Sequence, residues 1–317
     1  MCPAADLRNR SIVMDENLNS VLDVEVNVSD KTGRSPFIYL ENMGMEEEEC
    51  QKECSLPYFR KCIADNVISN IKFDILKCVY KHAYLNKYIL GRMLSEKYPE
   101  SNLKDAISWL VKRGMLHRLK FVKDGYVSRY FYCVGEGVAK YMKGGTPRVA
   151  DAVSAIYDLC RAQFAACAEC YDGFVRADIH TEFMMVNAKN VRKQFDLGYH
   201  AVIKCGSGKR ITLLAIAIRR SPGWQTELRN ALYIAGAYAS QNGRTFPVLI
   251  CEDGSHMIEA AKVIRETAQD LLGHRILFTD DHSTAEWNLN NALLIWDGNR
   301  KFESDEEDFA IFSLEKI

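Results

Sequence analysis

No segment of the 317-residue chain carries an uninterrupted apolar run long enough to cross a bilayer, and its N-terminus has no basic stretch leading into an apolar core. Membrane insertion and export are therefore not expected, and the expected compartment is the cytoplasm. Net charge is nearly absent as well: 41 Lys and Arg stand against 42 Asp and Glu. The eleven cysteines do not form a disulfide framework, being odd in number and scattered through predicted helices and strands, so reduced thiols are expected. Two cysteine clusters, one of Cys50, Cys54 and Cys62 and one of Cys160, Cys167 and Cys170, lack the second close pair or the paired histidines of a four-ligand zinc site. They read as small hydrophobes at helix contacts, and no metal or other cofactor is expected.

Two catalytic signatures are missing too. CGSGKRIT contains Gly-Lys but not the longer loop and following helix that cradle a nucleotide phosphate, so Gly206-Ser207-Gly208 reads as a hairpin turn. The serines, cysteines and seven histidines show no recognised order for nucleophilic catalysis.

What the chain does have is segregated charge. Residues 55–145 hold 17 Lys and Arg against 7 Asp and Glu, whereas residues 1–54 hold 5 against 12 and residues 146–317 hold 19 against 23. Clustered cations are the electrostatic footprint of a polyanion-binding segment. Residues 1–55 are polar, broken by Gly and Pro, and end in the acidic block MGMEEEECQKE; they are expected to be a disordered, solvated acidic tail, the functional alternative being an arm that competes with DNA for the basic segment or recruits a partner. Within it VLDVEVNV alternates well enough for a strand.

Inside the basic segment, SNIKFDILKCVYKHAYL, NKYILGRMLSEKY and SNLKDAISWLVKRGML each space apolar residues at helical intervals. In the third, Leu103, Ala106, Ile107, Leu110 and Val111 make one stripe. Ser101 or Asn102 is expected to cap its start and Gly114 to end it. Its polar face carries Asn102, Lys104, Asp105, Ser108, Lys112 and Arg113. The following LHRLKFVKDGYVSRYFYCVG alternates about Lys123-Asp124-Gly125, a strong hairpin signal. Three helices and a two-stranded wing predict a winged helix-turn-helix, which lays one helix in a major groove and the wing on the adjacent backbone. The expected partner is double-stranded DNA, contacted through Asn102, Lys104, Ser108, Lys112, Arg113, Arg118, Lys120, Lys123 and Arg129.

After Gly144-Gly145 a helix of about six turns is expected over 146–175 as a link. From Thr181 the pattern alternates strands (FMMVNA, YHAVIKC, ITLLAIAIRR, FPVLICED, RILFTDD) with helices TELRNALYIAGAYASQ and MIEAAKVIRETAQDLL, and NALLIWD adds an edge strand. In TDDHS, Asp280, Asp281 and His282 are expected to form a turn at a strand end. The domain order is therefore a tail (1–55), a DNA-binding domain (56–145), a linking helix (146–175) and an α/β domain (176–317).

This order of elements, with KQFDLGYHAVIKC placing Asp196 ahead of a strand and SPGWQTELRNALYIAGAY supplying Trp224, Arg229 and Tyr233, resembles the replication-relaxation family of bacterial plasmids and conjugative elements. The resemblance covers about residues 65–300. It implies an α+β winged helix-turn-helix followed by an α/β restriction-endonuclease-like domain. It also implies an accessory role at an origin of replication or transfer, with a relaxase or replication proteins as partners. A nuclease of that fold needs two carboxylates around a divalent cation and a nearby Lys. Here Ala215 and Ala217 stand where a Glu belongs, and only Arg219 and Arg220 lie near the Lys position. A vestigial site of Asp196, Arg219 and Arg220 is expected, with no catalysis and with the second domain serving assembly. Three alternatives stay open: a metal-dependent nuclease in which Glu182 supplies the second carboxylate, a transcriptional repressor acting at its own promoter, and a homodimer if the DNA site is palindromic.

Overall fold

The structure is a computed structural model that describes residues 37, 41–48, 53–123, 126–142, 151–179, 182–186, 192–267, 276–296 and 309–316. The chain divides into two compact units of mixed α and β structure: residues 39–162, and residues 163–317 together with those before 39. No helix among the described residues is long and apolar enough to cross a membrane.

The first unit runs β1 (Gly44–Glu47), α1 (Leu56–Ala64), α2 (Asn70–His82), β2 (Leu85–Asn86), α3 (Lys87–Leu94), α4 (Glu100–Val111), β3 (Leu116–Lys123), β4 (Tyr126–Val127), β5 (Phe131–Val134) and α5 (Glu136–Tyr141). Its strands lie in the order β1-β3-β5-β2, and β4 pairs with the far end of β3. Local chemistry sets the helix ends. Ser55 accepts from the Tyr58 amide at the start of α1, and Asn86 Oδ1 accepts from Tyr88 and Ile89 at 3.0 and 2.9 Å at the start of α3. The N-cap of α4 lies two residues before the first cap expected from sequence: Pro99 occupies it, with no side-chain bond, because its fixed φ suits the entry and it has no amide to satisfy. Gly114 ends the turn with φ 64°, and the bonds Met115 N–H to Leu110 O and Gly114 N–H to Val111 O close it.

Phe59, Leu76, Val79, Leu85, Ile89, Leu90, Leu110, Leu116 and Phe131 are buried in this unit's core. Phe131 stacks on Phe121 at 4.5 Å and meets Tyr84 edge-on at 5.8 Å. Helix α5 approaches the residue before α1 so closely that a Cβ at Gly137 would lie 2.3 Å from the Cys54 carbonyl oxygen. The residues of the expected hairpin turn, Asp124 and Gly125, lie outside the described residues, but Lys123 pairs with Tyr126 across it.

The unit boundary falls within α6 (Ala152–Glu169), which starts later and stops earlier than the expected link. Next come β6 (Phe174–Asp178), β7 (Glu182–Val186), β8 (Arg192–Asp196), β9 (His200–Lys204), β10 (Arg210–Ala217), α7 (Trp224–Gln241), β11 (Thr245–Cys251), α8 (Gly254–Thr267), β12 (Leu277–Asp280), α9 (Asp281–Ala285), α10 (Leu289–Ala292), β13 (Leu294–Trp296), β14 (Phe309–Ile311) and a final 3-10 turn. Seven strands form one mixed sheet in the order β14-β13-β12-β11-β10-β9-β6, of which β10, β11 and β12 are parallel. Strands β7 and β8 form a separate two-stranded ribbon, where sequence alone had one further core strand. Gly206-Ser207-Gly208 is the expected hairpin turn between antiparallel β9 and β10, with Gly208 at φ 80°. Helices α7 and α8 cover one face of the sheet, burying Trp224, Leu228, Leu232, Met257, Ala260 and Ile264 against Leu249, Cys251 and Phe278.

Candidate nucleic-acid interface

Helix α4 separates its faces as its spacing predicts. Leu103, Ala106, Ile107 and Leu110 are buried, while Asn102, Lys104, Ser108 and Lys112 are exposed on the other side. At its C-terminal end Trp109 lies between two cations, with Lys72 Nζ 3.7 Å and Arg113 Cζ 3.8 Å from the ring centre. Both charges gain from the ring quadrupole. Burial, and then the proximity of Arg113, lowers the pKa of Lys72 from its ordinary value. Lys72 from α2 is a member of this cationic group that sequence reasoning missed. The four-residue step from Trp109 to Arg113 was a usable signal, since such pairs meet on a helix surface.

The cations of β3 have a different setting. Strand β1 pairs antiparallel along β3, with Glu46 opposite Lys120 and Met45 opposite Phe121. Lys120 Nζ lies 3.2 Å from Glu46, Arg118 donates to Glu48, His117 meets Glu47 through Nδ1, and Lys123 donates to the Glu41 carbonyl. The Glu48 amide donates to the Arg118 carbonyl at 2.9 Å. The hydrogen bond that Arg118 donates to Glu48 raises the pKa of Arg118 further, and its guanidinium stacks 4.3 Å over Tyr130. Arg129 stacks on Tyr88 at 5.3 Å. Residues 41–48, which sequence alone assigns to the acidic tail, thus cover the outer edge of β3.

The residues expected to form a vestigial nuclease site fall in different sheets. The Asp196 side chain lies outside the described residues, and the Asp196 backbone ends β8, in register with Glu182 of β7. Ala215 and Ala217 are buried on β10. Arg219 and Arg220 follow β10, and both are engaged within the unit. Arg219 is fully buried and donates to the Ile218 carbonyl at 2.7 Å, the Ile250 carbonyl at 3.1 Å and the Asp281 carboxylate at 2.8 Å. Arg220 binds Glu252, Asp253, Glu259 and the Ser255 hydroxyl.

These arginines belong to a charged cluster at the C-terminal ends of the three parallel strands. Asp281 also accepts from the Phe37 amide at 3.2 Å, and Gln163 Nε2 donates to the Asp281 carbonyl at 2.7 Å. Burial pushes the Asp281 carboxyl up, with Glu252 and Asp280 adding to the rise and Arg219 opposing it. Asp253 is held down to about 2: bonds from Arg220, Ser255 and the His256 amide outweigh its burial, which acts the other way. His256 accepts from the Glu252 amide through Nδ1, and its burial lowers its pKa to about 3. Asp280 caps α9 through a 2.6 Å bond from the Ser283 amide, so TDDHS, expected as a turn, opens a short helix instead. The signal for this cluster was present as Arg219-Arg220, Glu252-Asp253 and Asp280-Asp281, one charged pair at the C-terminal end of each parallel strand.

Comparison with protein-family models, curated proteins and solved structures found no match. The site therefore rests on geometry alone. Among the described residues no group of three or more His, Cys, Asp or Glu is placed to hold a metal ion, and the cysteines described are free thiols. In the charged cluster at the strand ends both arginines are engaged by carboxylates of the same unit. The face of α4 instead presents Asn102, Lys104, Ser108 and Lys112 to solvent, a set suited to phosphate oxygens and base edges.

Proposed function

We propose that residues 56–142 form a winged helix-turn-helix that binds duplex DNA, with α4 entering the major groove and β3, β4 and β5 making the wing. The observation that carries this reading is the order α2-β2-α3-α4-β3-β5 with β2 and β3 both paired to β5, which leaves the polar face of α4 exposed. The likeness to replication-relaxation proteins gives the proposed setting: an accessory protein of a mobile element, acting at an origin of replication or transfer. The second unit is proposed as a degenerate endonuclease-like domain used for assembly. That is supported by Ala215 and Ala217 on β10 and by the engagement of Arg219 and Arg220 in internal ion pairs.

The test is an anisotropy titration of labelled duplexes at near-physiological salt. Lys104→Glu with Lys112→Glu is expected to weaken binding by at least about tenfold and to flatten the salt dependence by about 2 units. Unchanged affinity and slope would remove the proposal. Selection of bound fragments from the host element then separates an origin from a promoter. A second reading, metal-dependent cleavage, is favoured by one observation: Glu182 and Asp196 are register partners across the β7–β8 ribbon. Nicking of supercoiled DNA with magnesium that both Asp196→Ala and Glu182→Ala abolish would establish it, and absence of nicking dismisses it.

A further inference from the structure

We propose that β1 is a built-in competitor of DNA: the acidic strand occupies the cation row of β3 and must leave before those cations can meet phosphates. The inference rests on the DNA-binding reading of this unit. Four groups of β3 point to it together. His117, Arg118, Lys120 and Lys123 each meet a group from residues 41–48, three of them a Glu side chain. A strand that served only to cover the β3 edge needs main-chain pairing, not a carboxylate opposite successive cations. Glu46 and Glu48 meet Lys120 and Arg118, which alternate with the buried Leu119 and Phe121 along β3 and so lie on one face of the sheet. By contrast, no ion pair to Lys104 or Lys112 is formed among the described residues.

The arm is also built to leave. It is only four residues long, and the Glu46, Glu47 and Glu48 side chains remain 56%, 46% and 41% exposed. Exposed pairs of this kind are weak and screened by salt. What holds the arm is its short main-chain ladder to β3 and its covalent tether, which gives it a local concentration on the order of millimolar. A duplex offers a denser row of charge together with counterion release. The arm therefore raises the threshold for weak, non-specific DNA and yields to a duplex that also engages α4.

The experiment uses the full chain and its Glu46→Gln/Glu47→Gln/Glu48→Gln variant, titrated with a labelled duplex over a range of salt. The variant is expected to bind about tenfold tighter, with a salt slope steeper by about 2 units as Arg118 and Lys120 become available to phosphates. A control, Glu53→Gln/Glu136→Gln, is expected to shift affinity less than about twofold, as removal of charge alone requires. If the parent chain binds DNA and the triple variant matches it in affinity and slope, the arm is not a competitor, and the DNA reading stands. If neither chain binds any duplex, the DNA reading itself fails and takes this inference with it. Hydrogen exchange on the unsubstituted chain gives an independent measure: bound DNA is expected to expose the Glu48 amide, and continued protection overturns the displacement.

Discussion

Helix α4, with Lys112 at its C-cap, and strand β3 are neighbours in sequence and both carry cations, yet those cations end differently. Those of α4 stand in solvent, and those of β3 are met by an acidic strand. The backbone accounts for the difference. A helix satisfies its amides and carbonyls internally, so nothing recruits a second segment to its exposed face. The outer edge of β3 presents a row of unpaired amides and carbonyls, which attracts another strand, and the charges then select an acidic one. Further along the same scale, Arg219 is sealed inside its unit with a carboxylate and two carbonyls. Open, edge-matched and buried cations thus occur in one chain, and each class answers substitution differently.

The buried class gives the largest effect. Arg219→Met leaves Asp281 without its cation, and removal of one partner from a buried pair is expected to lower stability by about 3–5 kcal/mol, read from the midpoint of urea unfolding. If Arg219→Met unfolds within about 1 kcal/mol of the parent, the pair has no such role. Neutralising cations in the full chain separates the other two classes. Lys104→Gln/Lys112→Gln is expected to weaken duplex binding about tenfold, while Arg118→Gln/Lys120→Gln costs less than about threefold because those charges are already matched. Equal losses in the two double variants would erase the distinction between helix and strand.

Acid probes the buried imidazoles of both units. His82 and His256 are each lowered to about 3, the first cause in each being burial. The unfolded chain binds their protons near 6.5 and the folded chain does not, so stability is present above 6.5 and is lost as pH falls toward 3. At pH 5 each is expected to cost about 2 kcal/mol. Hydrogen exchange followed against pH is expected to show the loss in both units, and His256→Asn to flatten it only in the unit of residues 163–317. The smallest effect is Arg118→Gln on stability, expected below about 1 kcal/mol for a partly exposed pair in thermal unfolding.

Much of the site follows from local pattern. The stripe of Leu103, Ala106, Ile107 and Leu110 sets the exposed face of α4, and Gly114 ends it where a left-handed residue is needed. That the acidic arm pairs as a strand along β3 was not legible, because Glu46 to Glu49 repel one another in a local window and their counter-charges on β3 lie about 70 residues away. The cluster at the strand ends escaped for the same reason: Arg219, Glu252 and Asp281 meet only once the parallel sheet has formed. Strand β6 was missed, its first two residues falling at the end of the expected linking helix and the rest ahead of the first expected strand, because Phe174 to Asp178 is short and lies just past an alanine- and cysteine-rich helix.

The Arg219 pin also bears on how the chain is made. Its guanidinium waits for a carboxylate 62 residues downstream, and a ribosome adds those residues in roughly 3–12 s. During that interval the residues of β10 and α7 have been made, with a full charge at the position that the finished fold seals from water. Completion of this unit is therefore tied to the arrival of Asp281, and a nascent chain halted before it carries a cation that its own core cannot yet accept.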